Sequence, residues 1–169
     1  EAQSEGLGMG AEFTICLPLA NTASDEPEAG STGDMRLDKT RVLVVDDNID
    51  AGDTLAVILD MLGAEVRVAR NGAEALQAFA GYKPSVVLLD IGMPGMNGYE
   101  VAQAIRNRFA DHPTVLVALT GWGQEDDRRR ASEAGFDHHL LKPAEIESLQ
   151  KLLADIESAR TLAAAEKTP

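Results

Sequence analysis

A doubly wound α/β fold, with a five-stranded parallel sheet covered by helices on both faces, follows from three features of this chain. From Arg41 to about Arg160, short apolar runs alternate with amphipathic segments, the pattern of repeated strand–helix units. Three runs, Val42-Leu43-Val44-Val45, Val86-Val87-Leu88-Leu89 and Val115-Leu116-Val117-Ala118-Leu119, are apolar at every position, as strands buried on both faces must be. Each run stops at a polar residue: Asp46-Asp47, Asp90 and Thr120 in turn, and a shorter run, Leu140-Leu141, stops at Lys142-Pro143. In open parallel sheets, ligands bind beyond the C-terminal strand ends, where these residues fall.

The elements follow in order. Strand 41–46 precedes a helix over 50–62, with Leu55, Ile58, Leu59 and Leu62 at helical spacing and Gly63 as its stop. Glu65–Ala69 is a short strand, Asn71-Gly72 a turn, and 73–80 a helix with Leu76 and Phe79 inward. Pro84 opens strand 85–90, and helix 98–109 carries Val101, Ile105 and Phe109. Strand 114–119 follows Pro113, and the charged helix 124–134 ends at Gly135. Strand 137–141 leads into helix 144–159, which carries Leu149, Leu152, Leu153 and Ile156; a frayed tail is expected over 161–169. The shorter, more polar second and fifth strands suit the sheet edges.

Residues 21–40 are rich in Ser, Thr, Gly, Asp and Glu and read as a flexible linker. Before it, Phe13-Thr14-Ile15-Cys16-Leu17 reads as one strand stopped by Pro18. A lone strand cannot fold by itself, so residues 1–20 are expected to be the edge of another domain and the chain a fragment of a longer protein.

Composition narrows the function. The 169 residues are 44% hydrophobic, enough for one domain with a sizeable core. The net charge of -13, from 28 acids against 15 bases, argues against nucleic-acid or anionic-membrane binding, which need a basic surface. No apolar stretch approaches the roughly 20 residues that span a bilayer. The single cysteine, Cys16, excludes an internal disulfide and fits a reducing, cytoplasmic compartment.

The strand-end residues suggest one chemistry. Three converging carboxylates repel one another, and a hard cation, Mg2+ or Mn2+, relieves the repulsion. Asp47 and Asp90 are expected as direct ligands, the Gly92 carbonyl as a third, and Asp46 through a bound water. Asp90 is the best nucleophile candidate: it is single, it ends the most apolar strand, and Gly92-Met93-Pro94-Gly95 forms an open loop beside it. Phosphoryl transfer to a carboxylate depends mainly on positioning and charge neutralisation. Lys142 supplies a point charge, Thr120 a hydroxyl donor, and Gly121 an unobstructed approach. Pro143 favours a cis peptide that aims the lysine inward.

These residues resemble a known family. VLVVDDNID (42–50), VVLLDIGMPGMNGYEV (86–101), ALTGWG (118–123) and GFDHHLLKP (135–143) are similar, in order and spacing, to the receiver domain of two-component signalling. The resemblance implies a flavodoxin-like sheet of order 2-1-3-4-5 and Asp90 as phosphoacceptor. It implies Asp46 and Asp47 as metal-binding acids, Thr120 as switch hydroxyl and Lys142 as site lysine. It further implies a phosphohistidine donor, on a histidine kinase core or a histidine phosphotransfer domain, with self-catalysed transfer and autodephosphorylation. The second switch position, often aromatic in the family, is His139. Gly92 and Trp122 stand where side chains influence attack by water. GLGMGAEFTICLPLA (6–20) is similar to the last strand of a histidine-kinase ATP-binding domain, so the parent is expected to be a hybrid histidine kinase.

Other motifs carry blander readings. Gly6, Gly8 and Gly10 lack the following lysine and helix of a phosphate loop. His138-His139 point to opposite strand faces and make no metal pair. Arg128-Arg129-Arg130 reads as a solvated helix face. A haloacid-dehalogenase-like phosphatase would need a second acid two residues after its nucleophile, where Asn48 follows Asp46.

Overall fold

A computed structural model describes residues 2–3, 10, 12–14, 37, 40–121 and 125–165; side chains are described for all of these but 2, 12–13, 125–128 and 160–165. The chain divides into two units, Glu1–Gly33 and Asp34–Pro169. In the first, β1 (Ala2–Gln3) pairs antiparallel with β2 (Glu12–Phe13), Ala2 opposite Phe13. The expected strand 13–17 therefore begins one residue earlier and Thr14 is outside it; Ile15, Cys16 and Leu17 lie outside the described residues, as do Gly6 and Gly8.

The second unit is the expected five-stranded parallel sheet. Its strands are β3 (Arg41–Val45), β4 (Glu65–Ala69), β5 (Val86–Asp90), β6 (Val115–Thr120) and β7 (His138–Leu141). Their order across the sheet, β4-β3-β5-β6-β7, is 2-1-3-4-5 counted from Arg41. The helices are α1 (Ile49–Met61), α2 (Gly72–Tyr82), α3 (Gly98–Arg108), α4 (Glu125–Ala134) and α5 (Ile146–Ala165).

Strand alternation sorts the core into two layers. Leu43, Val45, Val87, Leu89, Leu116 and Ala118 face one side and pack with Phe79 of α2, Val101 and Ile105 of α3, and Ala131 and Ala134 of α4. Val42, Val44, Val86, Leu88, Val117 and Leu119 face the other and pack with Leu55 and Leu59 of α1 and Leu149, Leu153 and Ile156 of α5. The three fully apolar runs are the central strands, and the polar β4 and β7 are the edges, as expected.

Several boundaries differ from the sequence reading. Asn71 is the N-cap of α2, its side chain accepting the Glu74 N–H, so Asn71-Gly72 opens a helix rather than making a free turn. The last helix runs on to Ala165, into the expected tail, whose residues 166–169 lie outside the described residues. Of the expected linker over 21–40, only Leu37 and Thr40 fall among the described residues, and both are buried. Leu37 is buried in the α1–α5 layer and its N–H donates to the Leu62 carbonyl at 2.8 Å. The Thr40 hydroxyl donates to Glu157 Oε1 at 3.0 Å. A single leucine in a polar stretch carries no periodicity, so only the packed structure reveals its burial.

Two polar networks brace the N-terminal edge of the sheet. The Arg106 guanidinium donates to the carbonyls of Gly135 (2.8 Å) and Thr114 (2.9 Å) and pairs with Asp137 at 2.6 Å, tying α3 to β6 and β7. The Tyr82 hydroxyl donates to the Glu65 carbonyl at 2.6 Å, with Arg67 stacked 4.4 Å from its ring centroid. Arg129 and Arg130 are exposed, Arg129 3.9 Å from Glu133 and Arg130 5.7 Å from the Tyr99 ring centroid, while the side chain of Arg128 lies outside those described.

Candidate functional site

Parallel register gathers the polar strand ends. Val45 lies beside Leu89, which sets Asp46 next to Asp90. Asp90 lies beside Leu119, and Thr120, one step further on, pairs with Leu141, the residue before Lys142. The backbone continues this stitching: the Lys142 N–H donates to the Thr120 carbonyl at 2.8 Å, and the Ile91 N–H to the Leu119 carbonyl at 3.2 Å.

At this edge Asp46 is 2% exposed and Asp90 is also buried, while Asp47 is exposed. One carboxylate oxygen from each of Asp46, Asp47 and Asp90 falls within 4.8 Å of the others. The Lys142 ammonium donates to Asp46 Oδ2 at 2.7 Å and lies 2.9 Å from Asp90 Oδ2. The second oxygens are capped by the backbone: Asp46 Oδ1 accepts the Asn48 N–H, and Asp90 Oδ1 the Gly92 N–H, both at 2.9 Å. Each buried acid thus has a cation on one oxygen and an amide on the other, which offsets its desolvation.

The sequence reading placed Lys142 against an incoming phosphoryl group and did not foresee its bond to both acids. The capping role of Asn48 is a further addition: its side chain caps α1 by accepting the Ala51 N–H at 3.1 Å, and an Asn just before an apolar-periodic segment is the signal for that role. Thr120 is buried at the end of β6, and His139 is exposed on β7. The Lys142–Pro143 peptide is cis, as expected. A side chain at Gly121 would meet nothing within 4 Å, and one at Gly92 would stand 3.6 Å from Asp90 Oδ1, so both positions leave the site open. Trp122 lies outside the described residues.

Gly98, at the start of α3, has the opposite property. A Cβ there would overlap the Asp90 carbonyl oxygen and stand 2.8 Å from Ile91 Cα, both main-chain atoms. Gly98→Ala is expected to destabilise the fold by about 1–3 kcal/mol, the usual cost of overpacking, because backbone cannot yield as a side chain does. Denaturant unfolding checks this; wild-type stability would mean that α3 can back away freely.

Burial alone would lower the Lys142 pKa, but hydrogen bonds and charge from Asp46 and Asp90 outweigh it and the net direction is upward from 10.5. Tyr82 is also raised, from 10.0, by burial and by Glu65, against Arg67 and Arg41. In both cases the folded protein holds its proton above the pH at which the unfolded chain releases it. The stabilisation is therefore complete below about pH 10 and is lost as pH rises through the folded values. Thermal melts are expected to be steady from pH 8 to about pH 9.5 and to fall beyond it, less steeply in Tyr82→Phe. An equal slope in that variant removes Tyr82 from the account.

A sheet of order 2-1-3-4-5 with three acids and a lysine at its C-terminal edge defines a doubly wound α/β protein with a cation-ready carboxylate site. The family model of the response regulator receiver domain matches residues 42–154, and the chain belongs to that family. The structure is similar to the chemotaxis protein CheY4 of Vibrio cholerae (TM-score 0.67, 30% identity, 70% of this chain and 98% of that one). It is also similar to the receiver domain of Ssk1 from Saccharomyces cerevisiae, solved together with the histidine phosphotransfer protein Ypd1 (TM-score 0.64, 27% identity, 68% and 86% covered). The sensor histidine kinase AtsR of Burkholderia thailandensis is 28% identical over 158 residues, which are 90% of this chain and 26% of that kinase. The chain spans 40% to 49% of the length of the curated transcriptional regulators it matches. Its function is phosphoacceptor signalling in two-component systems.

Proposed function

We propose that Asp90 is the phosphoacceptor and that its donor is a phosphohistidine on a histidine kinase core or a histidine phosphotransfer domain. A carboxylate oxygen of Asp90 forms the new bond to phosphorus as the bond from phosphorus to the imidazole nitrogen breaks. The donor ring, already protonated on its other nitrogen, keeps the electron pair of the broken bond and leaves as neutral imidazole, and an acyl phosphate remains. The observation that carries this reading is the Lys142 ammonium, 2.7 Å from Asp46 and 2.9 Å from Asp90: a cation stands within reach of the carboxylate on which charge develops in the transfer.

The all-oxygen donor set fits Mg2+ or Mn2+, with Asp46, Asp47, Asp90 and the Gly92 carbonyl holding the ion. Bound there, the ion would neutralise phosphoryl oxygens during transfer. Thr120 donates its hydroxyl to another oxygen, Gly121 leaves the approach open, and Lys142 turns from its carboxylate partners toward the phosphoryl group. Movement of Thr120 is passed to the surface through β7, where His139 is the exposed residue of the switch.

A groove of about 580 Å³ beside the acids, lined by Ala51, Thr54, Ile58, Pro143 and Ala144 among others, supports a helical phosphodonor. Ile49, Val57 and Met61 expose apolar side chains along α1, which lines one side of the groove. We infer that the parent protein is a hybrid histidine kinase acting in the cytoplasm, and that this domain contacts neither nucleic acid nor membrane. No helix among the described residues is long and apolar enough to cross a membrane.

The test is incubation with acetyl phosphate and Mg2+ followed by intact-mass measurement. A gain of one phosphoryl group, released by hydroxylamine as an acyl phosphate is and absent when Mg2+ is chelated, is the expected result. No gain at millimolar donor, or one resistant to hydroxylamine, would refute the proposal.

A further inference from the structure

Arg70 directly follows β4, yet its side chain works on α1. Nη1 donates to the Ile49 carbonyl at 3.2 Å, and Nη2 pairs with Asp53. Its own backbone is fixed, the N–H donating to Glu74 Oε2 at 2.9 Å. One residue back, the Ala69 carbonyl accepts the Asp46 N–H at 3.1 Å. The end of β4 therefore grips the acid-bearing loop at both ends, by backbone at Asp46 and by guanidinium at Ile49 and Asp53.

Gly52 makes the grip possible. A Cβ at that position would overlap Arg70 Nη1 and stand 3.5 Å from Asp46 Cβ. The guanidinium thus passes over the helix at Gly52, beside the buried acid. A bare glycine near the start of a helix weakens it, and this one leaves room for the arginine.

We propose that Arg70 is a positioning residue that holds loop 46–49 in the arrangement that takes up a divalent cation. The inference rests on the reading of Asp46, Asp47 and Asp90 as the cation site. Residues that orient metal ligands without touching the metal commonly change affinity when lost. Arg70 also carries a positive charge that opposes a cation, so its deletion alone would mix two effects of opposite sign. Two charge-neutral changes separate them. Gly52→Ala displaces the guanidinium and keeps both charges, and the pair Arg70→Gln with Asp53→Asn removes one charge of each sign.

The experiment titrates Mg2+ into the full 169-residue chain by calorimetry and measures amide exchange over residues 48–53 without metal. Both variants are expected to bind Mg2+ about three- to tenfold more weakly. Their exchange in the first turn of α1 is expected to be faster than in the wild type. The Tm of Gly52→Ala should not fall, since alanine favours the helix more than glycine does. Wild-type affinity and exchange in both variants, tighter binding, or weaker binding accompanied by faster exchange throughout the sheet would each overturn the proposal. If Gly52→Ala does not fold, the paired variant decides. If the wild type binds no Mg2+, the cation reading fails instead, and the metal-free exchange still tests the clamp.

Discussion

Asp90→Asn is expected to reduce phosphoryl incorporation to below about 1% of wild type, because the amide is not nucleophilic and cannot form the acyl phosphate. The change is nearly isosteric. The asparagine carbonyl can still accept the Gly92 N–H that Asp90 Oδ1 accepts at 2.9 Å, and Lys142 keeps Asp46 at 2.7 Å. Stability should therefore move by no more than about 1 kcal/mol, the worth of one hydrogen bond. Intact-mass measurement after acetyl phosphate treatment, beside a denaturant melt, separates lost chemistry from lost fold. Full incorporation in a folded Asp90→Asn variant would transfer the role to Asp46 or Asp47.

Lys142→Met should act on both rate and stability. It removes the only ammonium in contact with Asp46 and Asp90 among the described residues and keeps the length of the side chain. Transfer is expected to slow about 100-fold or more, the scale seen when one preorganised stabilising donor is removed. Two buried carboxylates then face each other with no counter-charge. The metal-free protein is expected to lose about 2–3 kcal/mol, less than a fully buried pair would, because the Lys142 side chain is 28% exposed. Mg2+ should then raise the Tm of the variant more than that of the wild type, since the ion supplies the missing charge. A Tm rise equal to that of the wild type would show that the lysine and the cation do not share the carboxylates. A transfer rate within threefold of the wild type would remove Lys142 from the chemistry.

Much of the site was legible in the chain because doubly buried strands are apolar throughout. Against such runs, Asp46, Asp90 and Thr120 stand out as strand-end polar residues, and parallel register must bring them to one edge. Gly52 and Gly98 looked alike in sequence. In space, one makes room for a flexible arginine and the other sits against backbone, so their substitutions are expected to behave differently. Arg70 and Arg106 were invisible for a related reason. A surface-looking arginine becomes a tether only when a distant carbonyl lies within reach, as those of Ile49 and Gly135 do.

The sequence by itself determined the alternation of strand and helix, the apolar central strands and the set of polar residues at their ends. These depend on side-chain periodicity and burial, which are local properties. Tertiary structure alone decided that Lys142 bridges Asp46 and Asp90, that Leu37 closes the α1–α5 layer, and that Arg70 reaches across Gly52 to α1. Each of these contacts joins residues far apart in the chain, at distances set by how strands and helices pack, and no local pattern encodes such a distance.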